Sequence, residues 1–166
     1  MTTYTLSDHE SVTVLESTAA VLEVDAVYLP GGAPPPLHWH PSQTETFEVV
    51  EGELHVTTDG EDRTVRAGES FEISPGVAHR MWNAAGEPAR ARWRTEPAMA
   101  TEHWFATVSA KHAAGRTALL DMAPAVRGHR DVFRPAGPRP VMSAAVAVLA
   151  FVGGLRPRAA NRPTAQ

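Results

Sequence analysis

Gly52, Gly60, Gly68, Gly76 and Gly86 punctuate the middle of the chain at near-regular intervals, mostly as turn-forming pairs: Glu51-Gly52, Asp59-Gly60, Ala67-Gly68 and Pro75-Gly76. No helix-period stripe competes between these stops. The segments they delimit, 46–50, 53–57, 63–65, 71–73, 79–83 and 89–94, are therefore expected as short strands pairing with near neighbours in a sandwich or barrel. Asp59-Gly60 suits a tight hairpin turn that needs positive φ. Upstream, residues 20–28 alternate Leu22, Val24, Ala26 and Tyr28 with Glu23 and Asp25, the pattern of a half-buried strand, and the Pro/Gly-rich stretch 30–36 stops it. With 166 residues, 43% hydrophobic, 14 Pro and 12 Gly, the chain suits one domain with an all-β core.

Beyond Pro97 the character changes. Thr101 can cap a helix that places Trp104, Phe105, Val108 and His112 on one face, and Gly115 can end it. Residues 141–152 are apolar almost all round apart from Ser143; as a helix they reach roughly 18 Å, short of a ~30 Å hydrocarbon core, which favours a buried or interface helix over a membrane span. Arg156 and Arg158 leave a helix lying in the membrane interface as the alternative. The expected organisation is a β-barrel over 1–98, a helical extension over 99–156 packed on the barrel or on a partner copy, and a tail over 157–166. Apolar surface from Trp104, Phe105 and 141–152 points to a homodimer.

Residues 1–100 carry 16 of the 19 acidic side chains and only 6 of the 15 basic ones, so the C-terminal third is basic. No aromatic-basic interleaving or nucleic-acid motif accompanies that excess, which argues against DNA or RNA as a partner. The absence of cysteine excludes disulfides, thiolate ligands and a cysteine nucleophile. The N-terminus has neither a basic nor an apolar signal region, so a cytoplasmic location is expected.

Chemistry concentrates in two segments. His38 and His40 lie two apart on a strand and project to one face, where they can share an ion. Glu45 restarts the strand after a bend, on the face of Phe47 and Val49, and can add a carboxylate. His79 shares a face with Met81 and Asn83 behind the Pro75-Gly76 turn and can add a third imidazole. Three imidazoles and one carboxylate suit Fe, Mn, Ni, Zn or Cu rather than Mg or Ca, without choosing among them.

These segments resemble the two signature motifs of the cupin superfamily. The first is matched at Gly32, His38, His40, Glu45 and Gly52 without a gap; the second at Gly68, Gly76, His79 and Asn83, with Ser74 where a proline belongs and Pro75 at the free position beside it. The resemblance covers roughly residues 20–95. It implies a double-stranded β-helix, or jelly-roll, barrel and one divalent transition metal held by His38, His40, Glu45 and His79.

The same parity arguments place Tyr28, Phe47, Met81, Asn83 and Trp93 as candidates for a substrate pocket, with core packing the competing role. Trp39 should point away from the metal. His9, His55, His103, His112 and His129 have no partners at ligand spacing and read as surface or packing residues. Arg90, Arg92 and Arg94 read as a solvated row paired with acids of the next strand.

The expected function is that of a metal-dependent enzyme acting on a small, mostly apolar phenolic or polyketide-like molecule. The resemblance implies a dioxygenase with Fe, Ni or Cu, as in quercetinase-like cupins, with Glu45 as the one ligand that can also act as a base. The alternatives are a Zn-dependent cyclase or isomerase and a non-catalytic binding module. The 14:1 ratio of Arg to Lys, with abundant Ala and Pro, associates the chain with a GC-rich bacterial genome.

Overall fold

A computed structural model describes residues 1–137; the expected apolar helix at 141–152 and the tail at 157–166 lie outside the described residues. Eleven strands and two helices occur in this span: β1 (Thr3–Ser7), β2 (Glu10–Ser17), β3 (Leu22–Tyr28), β4 (His38–Trp39), β5 (Thr44–Glu51), β6 (Glu53–Thr58), β7 (Glu61–Arg66), β8 (Ser70–Ile73), β9 (His79–Trp82), β10 (Ala89–Glu96), α1 (Thr101–Ala113), α2 (Leu119–Gly128) and β11 (Arg134–Pro135). They form one sheet in the order β1-β2-β3-β10-β5-β8 and a second in the order β11-β4-β9-β6-β7. Every strand pair is antiparallel. This is the expected all-β jelly-roll core with a helical C-terminal extension.

The period-two pattern decides what faces inward. Leu22, Val24, Ala26 and Tyr28 of β3 are buried, as are Phe47 and Val49 of β5 and Ala89 and Ala91 of β10, and they meet Leu54, Val56 and Met81 of the second sheet in a single core. Burying each large apolar side chain stabilises the fold by about 1.5–3 kcal/mol. Asp59 and Gly60 both take positive φ, 49° and 87°, in the turn between β6 and β7, as the hairpin reading requires. Gly52 has φ 70°, and a Cβ there would lie 2.6 Å from the Pro88 carbonyl oxygen, so only glycine fits this turn.

Two features differ from expectation. The N-terminal hairpin β1–β2 extends the first sheet beyond the strands read from the sequence; register shifts between Thr5 and Ser7 and between Val14 and Glu16 interrupt its alternation. Thr101 does not cap α1. The N-cap is Ala100 without a side-chain bond, and the Thr101 hydroxyl accepts a 2.7 Å hydrogen bond from Gln43 Nε2 instead. The same amide donates to the Pro97 and Ala98 carbonyls, which ties the start of α1 to the loop that precedes β5. No helix among the described residues is long and apolar enough to cross a membrane.

Candidate metal centre

β4, the residue just beyond it, β5 and β9 bring together the four side chains singled out by spacing: His38 lies in β4, His40 directly after it, Glu45 in β5 and His79 in β9. His38 and His79 are direct cross-strand partners. The ligand nitrogens of His38, His40 and His79 all lie within 4.8 Å of one another. Glu45 is outside that mutually close set of three, but its Oε2 approaches His40 Nε2 at 3.2 Å and His79 Nε2 at 3.1 Å. Glu45 and His79 are each 1% exposed and His40 is 7% exposed.

The outer partners orient every ring the same way. His38 Nδ1 meets the Pro36 carbonyl at 3.0 Å, His79 Nδ1 meets the Val77 carbonyl at 3.0 Å, and His40 Nδ1 meets the Val132 carbonyl. A carbonyl has no proton to give, so Nδ1 donates, and a neutral ring held in this way turns its Nε2 lone pair toward the centre. The carboxylate is oriented too, because the Trp93 indole donates to Glu45 Oε1 at 3.2 Å and leaves Oε2 facing the imidazoles.

Electrostatics follow from this packing. Burial, then the nearby His79 and His40, push His38 down to about 3, so its ring is neutral at neutral pH. Burial alone would raise the Glu45 carboxyl, but the His40 and His79 imidazoles more than reverse that and hold it below the usual carboxylate range. Burial likewise opposes a charge on His40, and the Glu45 carboxylate outweighs it, so His40 is raised.

Despite these short separations, His40 Nε2 and Glu45 Oε2 are buried and lack hydrogen bonds among the described residues. Orphaned buried acceptors carry a desolvation penalty of about 1–3 kcal/mol each. One cation among the three nitrogens and the carboxylate oxygen would satisfy all of them, and nitrogen-plus-carboxylate donors match a borderline transition metal. The residues therefore fit the ion that the cupin resemblance implies.

The candidate pocket residues divide by what they touch. Phe47 is fully buried and stacks on Phe71 and Trp93, with centroids at 4.9 and 5.2 Å. Tyr28 and Met81 line the same interior. The Asn83 amide donates to the Tyr28 and Glu87 carbonyls and its oxygen accepts from the Ala85 N–H, which commits it to backbone. Trp39 carries the Arg134 guanidinium over its ring at 5.0 Å.

The remaining histidines have local partners. His9 bonds the Pro30 carbonyl, His55 sits against Trp82, and His112 approaches Asp8. His103 and His129, unpaired in the sequence reading, form a 2.8 Å hydrogen bond. A depression of about 420 Å³ along α1 is lined by His103, Lys111 and Arg116 among others and includes none of the four candidate ligands.

Two functional candidates escaped the sequence reading. Glu10 of β2 lies opposite Tyr28 of β3 and shares the inward parity of Val12; burial raises its carboxyl to about 7. The alternation of Glu10, Val12 and Val14 was the available signal. The second is the segment after α2, which reaches both His38 and His40 and had no local signal at all.

A family model for the cupin domain matches residues 24–93. Among curated relatives, the Rhicadhesin receptor of Pisum sativum is 42% identical over 67 residues, which is 37% of this chain and 30% of that protein. Polyketide synthase CurC of Streptomyces cyaneus is 38% identical over 60 residues, 36% of this chain and 39% of that one. Oxalate oxidase 1 of Hordeum vulgare is 42% identical over 64 residues, 34% of this chain and 31% of that one. The matches thus span only 30% to 39% of these relatives' own lengths.

Similar solved structures include an RmlC-like cupin from Shewanella frigidimarina, 24% identical with a TM-score of 0.54, covering 61% of this chain and 87% of that one. A protein with a double-stranded β-helix domain from Klebsiella pneumoniae is 24% identical with a TM-score of 0.51, covering 56% of this chain and 81% of that one. Both likenesses speak to the fold alone.

Proposed function

Starting from the cupin domain that residues 24–93 match, we propose that this chain is a metal-dependent oxidoreductase of the dioxygenase type, acting on a small, mostly apolar enol or phenol of polyketide-like character. One observation carries the reading: three imidazoles, each with Nδ1 on a backbone carbonyl, gather their ligand nitrogens within 4.8 Å of one another, and the buried Glu45 carboxylate approaches two of them. His38, His40, Glu45 and His79 would hold the ion. A redox-active Fe, Mn, Ni or Cu ion held there would supply Lewis acidity and redox capacity toward an enol or phenol substrate, with O₂ as the oxidant consumed.

The chain's own residues prepare that encounter. Phe47, Val49 and Met81 belong to the buried apolar core on the inward faces of the strands that carry Glu45 and His79, surroundings that would suit an aromatic or polyketide-like ring better than a sugar. The Tyr28 hydroxyl has no hydrogen bond among the described residues and is free to meet a substrate oxygen. Glu45 is ionised and can accept a proton from the substrate. The likeness to oxalate oxidase 1 of Hordeum vulgare and to polyketide synthase CurC of Streptomyces cyaneus lends support to the oxidoreductase and polyketide parts of the reading.

The test is metal content by mass spectrometry on protein purified without added metal, followed by O₂ uptake with a panel of flavonols and polyketide-like phenols. Near-stoichiometric Fe, Mn, Ni or Cu with substrate-dependent uptake is the expected result. Zn without uptake would replace the proposal with a cyclase or isomerase. Glu45→Gln is expected to retain metal and lose turnover; retained turnover would remove Glu45 as a base.

A homodimer is proposed on narrower ground. Phe105 is buried within the chain and Trp104 stacks on Phe133, at 4.7 Å, so the apolar stretch 141–152, outside the described residues, is what remains of the argument. Light scattering at micromolar concentration decides it.

A further inference from the structure

The barrel strand β4 is too slight to hold His38 and, directly beyond it, His40 on its own. It has two residues and meets β9 at a single register position, His38 with His79. Its other edge is covered by residues that follow α2 and lie outside the cupin match: Arg134 and Pro135 pair with Trp39 and His38, and the Ala136 N–H donates to the Leu37 carbonyl at 2.8 Å.

This segment touches the site directly. Val132, 1% exposed, supplies the carbonyl that accepts from His40 Nδ1. Phe133 stacks on the His38 ring with centroids 4.7 Å apart and planes at 23°, and the same ring stacks on Trp104 of α1. The segment is itself anchored. The Val132 and Phe133 N–H groups both donate to the His129 carbonyl, at 3.0 and 2.8 Å. His129 is buried, donates from Nδ1 to the Ala125 carbonyl at 2.8 Å, and accepts at Nε2 from His103 Nδ1. A hydrogen-bonded path thus runs from α1 through His103 and His129 to the carbonyl that orients His40.

We infer that residues 129–136 are a positioning element of the metal centre, with the Val132 carbonyl setting the ring of His40 and Phe133 setting the ring of His38. Metal affinity in this chain then depends on its C-terminal extension as well as on its barrel. The inference rests on the metal-binding reading proposed above. Its physical basis is preorganisation: outer partners that fix ligand rings typically change metal affinity 10–100-fold.

The test titrates metal-stripped, full-length protein with Co(II), reading the visible d–d bands and the affinity by competition with a chromogenic chelator. Wild type is compared with Phe133→Ala, Phe133→Leu and Phe133→Tyr, and with Leu119→Ala at an exposed position of α2 as control. Phe133→Ala is expected to weaken Co(II) binding by at least about tenfold and to shift the bands, Phe133→Leu less so, and Phe133→Tyr and Leu119→Ala to match wild type.

A purely structural role would lower the melting temperature of the metal-free protein and leave affinity and bands unchanged; that result overturns the inference. If Phe133→Ala does not fold, Phe133→Leu decides by the same criterion. Wild type that takes up no Co(II) removes the metal reading and this inference together. Wild type that binds while the Ala and Leu variants bind equally removes this inference alone.

Discussion

β10 has two faces, and they treat charge in opposite ways. On its outer face Arg90, Arg92 and Arg94 meet Asp25, Glu23 and Glu96 at 2.7–2.9 Å, with further approaches to Glu51 and Glu23 at 3.7 and 3.5 Å. These arginines remain 43–48% exposed, and water screens what the pairs gain. On its inner face Trp93 positions Glu45, a buried carboxylate that faces imidazole nitrogens oriented as acceptors. Outside, every charge is answered locally. Inside, His40 Nε2 and Glu45 Oε2 are buried without a hydrogen bond among the described residues, and an arrangement that costs stability in the metal-free protein is the physical signature of a ligand site.

The sharpest way to break this contrast is to remove one inner ligand. His79→Gln keeps the side chain polar but cannot offer an imidazole lone pair, and it should lower metal affinity beyond the ~10–100-fold typical of outer partners. Mass spectrometry of the purified variant and Co(II) titration read this directly. The same ion should stabilise the wild-type fold, by about 4 kcal/mol when present at a thousandfold excess over Kd. A chelator should reverse that gain in a urea melt, and the variant should show none of it. Equal stability with and without metal in wild type would mean that the inner face is answered by something other than an ion.

A second prediction sharpens the contrast within the interior, because Glu10 is also inward-facing but has neither ion partner nor hydrogen bond among the described residues. Burial raises its carboxyl from 4.5 to about 7. Burial, then Glu10 and Glu45, also raise the hydroxyl of Tyr28, its cross-strand partner. Between those two pH values the native state keeps a proton that the unfolded chain has released, so stability falls as pH rises from about 4.5 to 7 and stays lower above that window. Glu10→Gln should flatten this slope and stabilise the protein at pH 8 by on the order of 2 kcal/mol, allowing for the solvent contact the carboxyl retains. At pH 4 the variant should differ little. Urea denaturation at the two pH values is the check, and a wild-type profile without the slope would show Glu10 to be well solvated.

What could be read from the sequence follows from the range of the interactions involved. β3 and the strands from β5 to β10 were legible because their alternation and turn glycines are local, and His38, His40, Glu45 and His79 because strand parity and motif spacing are local too. The hairpin β1–β2 was not, since its register shifts break the period and Glu10 places a charge where an apolar residue signals a core face. α2 carries Pro124 in its interior, which masks a helix in any local reading. Phe133 and the His103–His129 pair became visible only in three dimensions: Val132 and His40 are 92 residues apart, and the two histidines 26.

The smallest expected effect tests the outer face. Arg92 donates to Glu23 at 2.9 Å, and Glu23 also has Arg94 within 3.5 Å, so deleting Arg92 leaves the acid with a neighbour and, at 20% exposure, with water. Arg92→Ala should therefore leave metal affinity unchanged. A double-mutant cycle with Glu23→Gln should return a coupling below about 1 kcal/mol that shrinks as salt is raised. The cycle is informative because β10 is shared: Arg92 and Trp93 are adjacent, and a rigid strand could pass a loss on one face to Glu45 on the other. If Arg92→Ala alters Co(II) affinity, the outer ion pairs help set the position of Trp93 and the two faces are mechanically linked. If it does not, the solvent-facing charges serve solubility and register, and the chemistry of the interior is independent of them.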